Sequence, residues 1–333
     1  MGLYLAHPSS LEHETGGHPE NAARLRAIEA TLDDAGWPGL IRVDAPAASR
    51  EQLRRVHSDD HVESIERFCS EGGGLIDADT VASEHSFDAA LHAAGGAASA
   101  AERLLNGEDT FAFCGLRPPG HHAERARAMG FCLFNNVAVA ASHVLAECGV
   151  ERVLVLDWDV HHGNGTEAIF AASDRVLYAS IHQQPLYPGT GPASYSGEAG
   201  GEGYTVNLPV PPGAGSEVFL SLVQNVVVPI ARAYEPGLVA ISAGYDAHRD
   251  DPLAECLVET EGYGELAATM AALASELGAP LLVCLEGGYN REALAASVLA
   301  TIEAMAQERV PDHASAELAR PHIERQREHW PGI

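Results

Sequence analysis

The segment DWDVHHGNGT (Asp157–Thr166) concentrates the most reactive side chains of the sequence. Asp159 and His161 stand two apart, so in an extended segment their side chains share a face. One carboxylate and one imidazole on a face make half a metal site. Asp246, in SAGYDAH, can supply a third ligand. Two carboxylates and one histidine with open positions suit a catalytic divalent metal. Asp157 shares the same face and can support a ligand from behind. The competing reading is that these residues cap the next helix and satisfy turns. RPPGHHA (Arg117–Ala123) adds adjacent histidines after a Pro-Pro-Gly turn. Imidazole is the natural general acid or base near neutral pH, although histidine pairs also simply satisfy backbone groups. In EGGYN (Glu286–Asn290), Gly287 and Gly288 allow close backbone approach to a ligand, and the Tyr289 phenol can donate to a developing oxyanion. Taken alone, that motif reads as an ordinary turn with an amphipathic tyrosine.

These residues need elements that bring them together. RVLVLDWD (Arg152–Asp159), RVLYASIH (Arg175–His182), LVAISAGYD (Leu238–Asp246) and PLLVCLEGGY (Pro280–Tyr289) are short, apolar and rich in Val, Leu and Ile. Near-continuous apolar strands imply burial on both faces, as in a parallel sheet covered by helices. TFAFCGLRPP, before Gly120, reads the same way. Helical patterns occupy Asn135–Cys148, Ser216–Tyr234, Gly262–Leu277 and Arg291–Gln307. HPEN before Ala22 places Pro19 and Glu20 in a first helical turn. The expectation is an α/β fold: a single domain over residues 1–307, with a central, mostly parallel sheet flanked by helices. A polar tail follows over 308–333, compatible with a short helix. Asp157, Asp159 and His161 follow one strand, Asp246 another, Tyr289 a third, and His121 and His122 a fourth. Ligands in open parallel sheets bind at the carboxyl ends of strands, so the four ends point to one site.

The 333 residues carry a net charge of −27, with 20 cationic side chains, all arginine, against 47 acidic ones. Such a surface argues against nucleic acid or an anionic membrane as partner and suits a cationic ligand. The plainer reading is a solvated surface. Six scattered cysteines form no CxxC pair, which points to reduced thiols in a cytoplasmic protein. The N-terminal MGLYLAHPSS lacks the features of a signal peptide, and Ala6 stands where a myristoylation motif wants Ser or Thr. No apolar run approaches the roughly 20 residues of a membrane span.

In order, RPPGHHA, GFCLFNN, LDWDVHHGNGT, YPGTG, SAGYDAHRDDPL and LEGGYN resemble the zinc-dependent histone deacetylase superfamily, which includes acetylpolyamine amidohydrolases. The resemblance runs roughly from His7 to Met305 and implies the arginase/deacetylase fold. Asn164 resembles the class II branch, where class I usually has Asp. The resemblance makes Asp159, His161 and Asp246 the ligands of one zinc ion, and His121 and His122 the tandem histidines. It makes Asp157 and Asn164 their respective partners, and Tyr289 the transition-state tyrosine. One subgroup with His at that last position is nearly inactive on ordinary acetyl-lysine, so Tyr289 implies a working enzyme. Gly130, Phe131, Tyr187 and Gly288 match the walls of a narrow acyl-lysine tunnel. Many relatives have Phe where Tyr187 stands. Asp79 matches a rim aspartate that grips the substrate backbone, and Arg24 a basic residue near an acetate exit path. Structural potassium is implied at Asp157, Asp159, His161, Ser180 and Ile181, and again at the backbone of Phe170, Ser173, Val176 and Tyr204.

The activity so implied is hydrolysis of an acetyl or other short acyl amide, of N-acetyl-lysine first and of an acetylpolyamine as the alternative. The substrate partner is a small-molecule or peptide acylated amine. Relatives that prefer polyamines carry an acidic gatekeeper where this chain has the apolar Leu253. An arginase-type two-manganese ureohydrolase would want further ligands where Val160 and Gly163 stand. A non-catalytic acyl-binding module would have lost a ligand or Tyr289, and neither loss is seen.

Overall fold

Runs that are apolar on both faces become strands only where helices cover both faces. The computed structural model describes residues 1–307 and 313–333. Its strands are β1 (Gly2–Ala6), β2 (Leu40–Asp44), β3 (Gly73–Leu75), β4 (Val81–Ser83), β5 (Phe111–Cys114), β6 (Val153–Asp157), β7 (Val176–Gln183), β8 (Thr205–Val210), β9 (Leu238–Ala243) and β10 (Leu281–Leu285). β3 and β4 form a separate antiparallel hairpin. The other eight make one sheet in the order β2-β1-β5-β10-β9-β6-β7-β8, with every pairing parallel. Alternate residues of β6 feed opposite layers: Leu154 and Leu156 join one apolar core, Val153 and Val155 the other. Helices Ala23–Asp34, Thr260–Leu277 and Arg291–Ala306 cover the first face. Ser86–Leu105 and Asn136–Glu147 cover the second. Gly95 lets the long helix Ser86–Leu105 approach the chain after β2; a Cβ there would lie 2.2 Å from the Ala48 nitrogen.

The strand order explains where a site can form. After β5 the chain skips two positions to β6, and β9 and β10 later fill the gap. Strand ends diverge at such a reversal and leave a crevice on the carboxyl side. The ends of β5, β6, β9 and β10 meet there.

Three expectations change in detail. The helix expected from Pro19 begins at Ala23, whose amide donates to the Asn21 side chain at 3.0 Å. Pro19 and Glu20 therefore precede the helix, and Glu20 is wholly buried. The helix expected over Ser216–Tyr234 contains a π turn at Val223–Val227, just before Pro229; a proline has no amide to donate to the turn behind it, and the wider turn absorbs the break. In the tail, a 3₁₀ turn at Ala316–Ala319 leads into a helix at Arg320–Gln326. Ala319 lies in the core, and Trp330 donates to the Gly203 carbonyl at 2.9 Å. No described helix is long and apolar enough to cross a membrane.

Candidate active site

Beyond β6 the chain bends at residues 159–161, and its carboxylates are fixed by backbone amides. Asp159 accepts from the amides of His161 (2.9 Å) and Gly287 (2.9 Å), and Asp246 from that of Val160 (2.9 Å). Glycine is required around them: a Cβ at Gly244 would lie 2.0 Å from Asp159 Oδ2, and one at Gly287 2.1 Å from Asp246 Oδ2. The ligand atoms of Asp159, His161 and Asp246 lie within 4.8 Å of one another. His161 Nδ1 faces both carboxylates, at 3.2 Å from Asp159 and 3.1 Å from Asp246. Burial pulls His161 down, yet hydrogen bonds and charge from the two carboxylates raise its pKa to about 10. Two buried carboxylates that hold a cation this firmly can hold a metal ion in place of the proton. The donor set of one nitrogen and two carboxylates with room for further ligands fits such an ion.

Two histidines flank the cluster, their ring centroids 4.0 Å apart. His121 donates from Nδ1 to Asp157 Oδ2 at 3.0 Å, and the Tyr178 hydroxyl donates to the same oxygen at 3.1 Å. Burial opposes a charge on His121, but Asp157 and Asp159 outweigh it and hold the ring well above its ordinary range. His122 goes the other way: burial, then the charges of His121 and His161, press it well below. Its Nδ1 donates to Asn164 Oδ1 at 2.8 Å. The Asn164 amide nitrogen donates in turn to Glu124 Oε1 at 2.8 Å, which sets the amide's orientation. The proton of His122 therefore sits on Nδ1 and Nε2 keeps its lone pair.

Tyr289 follows β10. Its amide donates to Asp251 at 2.6 Å, and Asp251 also accepts from Asn290 and from Leu253 (3.0 Å), so one carboxylate ties the Leu253 loop to the tyrosine. Burial, then Asp246, keeps the Tyr289 phenol protonated far above neutral pH. Phe131 meets the Tyr289 ring edge-on at 5.8 Å, and Tyr187 meets His122 at 5.2 Å and His161 at 6.3 Å. Gly130 is in the left-handed region (φ 55°), where a Cβ would strike the His122 ring at 2.3 Å. The Phe131 amide donates to Thr80, next to Asp79. The Gly288 carbonyl accepts from Arg24 Nε at 2.6 Å, and the guanidinium lies 5.1 Å from the Tyr289 ring. Pairing of β6 with β7 sets Ser180 opposite Asp157, with Ile181 next along the strand. The Phe170 carbonyl accepts from Ser173, and the Tyr204 carbonyl from Tyr178 beyond Val176; each retains a second lone pair.

Several supporting residues carry no motif of their own. Glu286 is buried and accepts from the amides of Gly120 (2.6 Å) and His121 (3.1 Å), so it shapes the turn before the histidines; burial pushes its pKa up to about 7. Glu20 pairs with Arg117 through two hydrogen bonds, one of 2.7 Å, and with Arg24 at 3.2 Å. Both guanidinium groups are fully buried. Burial raises Glu20, but Arg117 outweighs it and depresses its pKa well below the usual range. Its stabilisation is therefore present above the ordinary carboxylate range and lost as acid protonates it. Glu20→Ala leaves buried cations unpaired, and urea unfolding should show a loss of about 3–5 kcal/mol. A loss under 1 kcal/mol would mean that water satisfies the arginines.

Comparison with known proteins gives one consistent answer. A family model described as the histone deacetylase domain matches residues 18–305. The chain is 42% identical over 306 residues to the "Probable deacetylase" of Archaeoglobus fulgidus, covering 90% of this chain and 85% of that one. It is 40% identical to histone deacetylase 15 of Arabidopsis thaliana, covering 98% of this chain and 61% of the plant protein. It is 38% identical to the histone deacetylase-like amidohydrolase of Pseudomonas aeruginosa, over 86% of this chain and 76% of that protein. The crystal structure of the HDA15 HD domain superposes with a TM-score of 0.92 at 40% identity, covering 99% of this chain and 97% of that one.

Proposed function

Because the chain belongs to the histone deacetylase family, we propose that it is a zinc-dependent amidohydrolase that removes acetyl, or another short acyl group, from an acylated amine, N-acetyl-lysine first. The observation that carries this reading is the buried Asp159, His161 and Asp246 cluster, at strand ends that also bear His121, His122 and Tyr289. These three residues would hold zinc, which supplies Lewis acidity to polarise the amide carbonyl and acidify water. His122, neutral with Nε2 open, accepts the proton of the attacking water and returns it to the leaving amine. His121, held by Asp157, keeps positive charge beside the developing negative charge. Tyr289 donates its phenol hydrogen to the oxyanion. Gly130, Phe131, Tyr187 and Gly288 line the passage, Asp79 grips the substrate backbone at the rim, and Arg24 holds the tyrosine loop. Potassium at the first set would tie the end of β6 to the middle of β7, and at the second would stiffen the turn that leads into β7. The six cysteines are free, five of them buried, which accords with a reducing cytoplasm.

The test is a turnover panel on the zinc-reconstituted chain: acetyl-lysine peptides, longer acyl-lysines, acetylspermidine and acetylputrescine. Silence on every amide, in every metal-reconstituted form, would sink the reading in favour of a binding module. The polyamine alternative is supported by the net charge of −27 and by Asp77 and Asp79, whose charges reach Tyr187. Leu253 supports acyl-lysine. Leu253→Glu would bring a carboxylate near the secondary amines of a bound polyamine. At about 4 Å and an effective dielectric of about 20 the attraction is at most about 4 kcal/mol before desolvation. A net of about 1–2 kcal/mol corresponds to roughly a tenfold gain in relative kcat/KM for acetylspermidine. A wild type that already prefers acetylspermidine at high salt would overturn the acyl-lysine assignment.

A further inference from the structure

Asp251 stands between two segments with separate tasks. It is buried, at 7% exposure, and each of its carboxylate oxygens serves a different segment. Oδ1 accepts the Leu253 amide at 3.0 Å. Oδ2 accepts the amide of Tyr289 itself at 2.6 Å and that of Asn290 at 3.2 Å. The carbonyl of the neighbouring Asp250 accepts from the Asn290 side chain at 3.0 Å, a second strap between the same segments. The tyrosine turn needs such straps. Gly288 takes a φ of 120°, which glycine reaches freely and holds without stiffness. Ahead of it Asp159 accepts the Gly287 amide, and behind it Asn290 caps the helix Arg291–Ala306. Between those fixed points the Tyr289 amide is held by Asp251. The Leu253 segment is fastened on its far side too, where the Glu255 amide donates to the Gln183 side chain at the end of β7 at 2.9 Å. A displacement of Leu253 therefore passes to the Asp251 carboxylate.

We infer that Asp251 is a positioning residue that couples contact at Leu253 to the placement of Tyr289, so that the fit of a substrate at the mouth is read in kcat. The inference rests on the deacetylase reading above, in which Leu253 faces the mouth and Tyr289 donates to the oxyanion. Substrate parts remote from the reacting bond raise turnover when their binding energy goes into orienting catalytic groups. A misplacement of about 1 Å can cost about 10²-fold. Two loops joined through one buried carboxylate form the contiguous contacts that such coupling travels through. Asparagine cannot stand in for Asp251. It has the same shape but one acceptor oxygen, so its NH₂ must face either the Leu253 amide or the Tyr289 and Asn290 amides, donor against donor. One of the two ties is lost whichever way it turns.

Kinetics of Asp251→Asn, Leu253→Ala and Tyr289→Phe, alone and in pairs, on zinc-loaded protein with an acetyl-lysine peptide test the coupling. Asp251→Asn should lower kcat by about 10- to 100-fold, with KM nearly constant and zinc content unchanged. In the Tyr289→Phe background it should cost nothing further, because a residue that acts through the phenol then has nothing to place. Leu253→Ala should lower kcat at least about threefold in wild type, and should alter KM alone once residue 251 is Asn or residue 289 is Phe. A kcat loss by the same factor in both backgrounds overturns the inference, and the pair of Leu253→Ala with Tyr289→Phe decides it if Asp251→Asn fails to fold. Hydrogen exchange over residues 286–291 reads the tie without turnover, and should be faster in Asp251→Asn and in Leu253→Ala than in wild type. A wild type silent on every amide would sink the deacetylase reading. Unchanged exchange over 286–291 in both variants overturns the tie whatever the activity.

Discussion

Asp159→Ala, His161→Ala and Asp246→Ala are each expected to abolish measurable turnover and to empty the buried metal site. Each supplies one of three donors, and a site with three protein ligands has none to spare. The loss goes beyond one bond. Removing His161 leaves two buried carboxylates facing each other, which favours protonating one of them over binding an ion. Removing Asp159 also strips the Gly287 amide of its acceptor and loosens the start of the tyrosine loop. Asp246→Ala similarly orphans the Val160 amide. Elemental analysis after dialysis should show about one equivalent of zinc fewer in each variant. Full zinc in any of them removes that residue from the ligand set.

Tyr289→Phe is expected to lower kcat by about 10²–10³, as for the loss of one oxyanion donor, while KM stays nearly constant. The phenol is proposed to act on charge that exists only in the transition state, so its removal should leave ground-state binding alone. The ring contacts to Phe131 and Arg24 survive in phenylalanine, so the pocket keeps its walls. A rise in KM at unchanged kcat would assign the hydroxyl to substrate binding instead.

How far these groups could be read in the sequence depended on how local their signals are. Asp157, Asp159 and His161 sit two apart at the end of an apolar run, a local spacing that marks them together, although the strand ends at Asp157 and amide hydrogen bonds in the bend behind it set the final placement. β6, β7, β9 and β10 lie inside the sheet and are buried along their whole length, so each reads as a short, mostly apolar run of β-branched and leucine residues rather than as an alternation. β2 and β8 are sheet edges. LIRVD has no buried residue, with Ile41 and Arg42 both exposed, and TVNLPV carries a proline that a central strand would not tolerate. Glu20 shows the other limit. In HPEN it looks like an acidic residue in a first helical turn, and only the arrival of Arg117, 97 positions away, makes it a buried anion. Glu286 likewise gains its part from two amides on another strand end.

The link from Glu124 through Asn164 to His122 gives the site a property that an aspartate at position 164 would not. An amide has two unlike ends. With its nitrogen committed to the Glu124 carboxylate, its oxygen must face the ring. Turned round, the amide would donate to Nδ1 and drive the imidazole proton to Nε2, so the same uncharged ring would offer a hydrogen instead of a lone pair. Glu124, two residues after His122, is thus a tautomer selector. Its acceptor oxygen, with the Met129 sulfur beside it at 3.4 Å from the same amide nitrogen, holds the one of two equally neutral forms of His122 that presents a lone pair at Nε2.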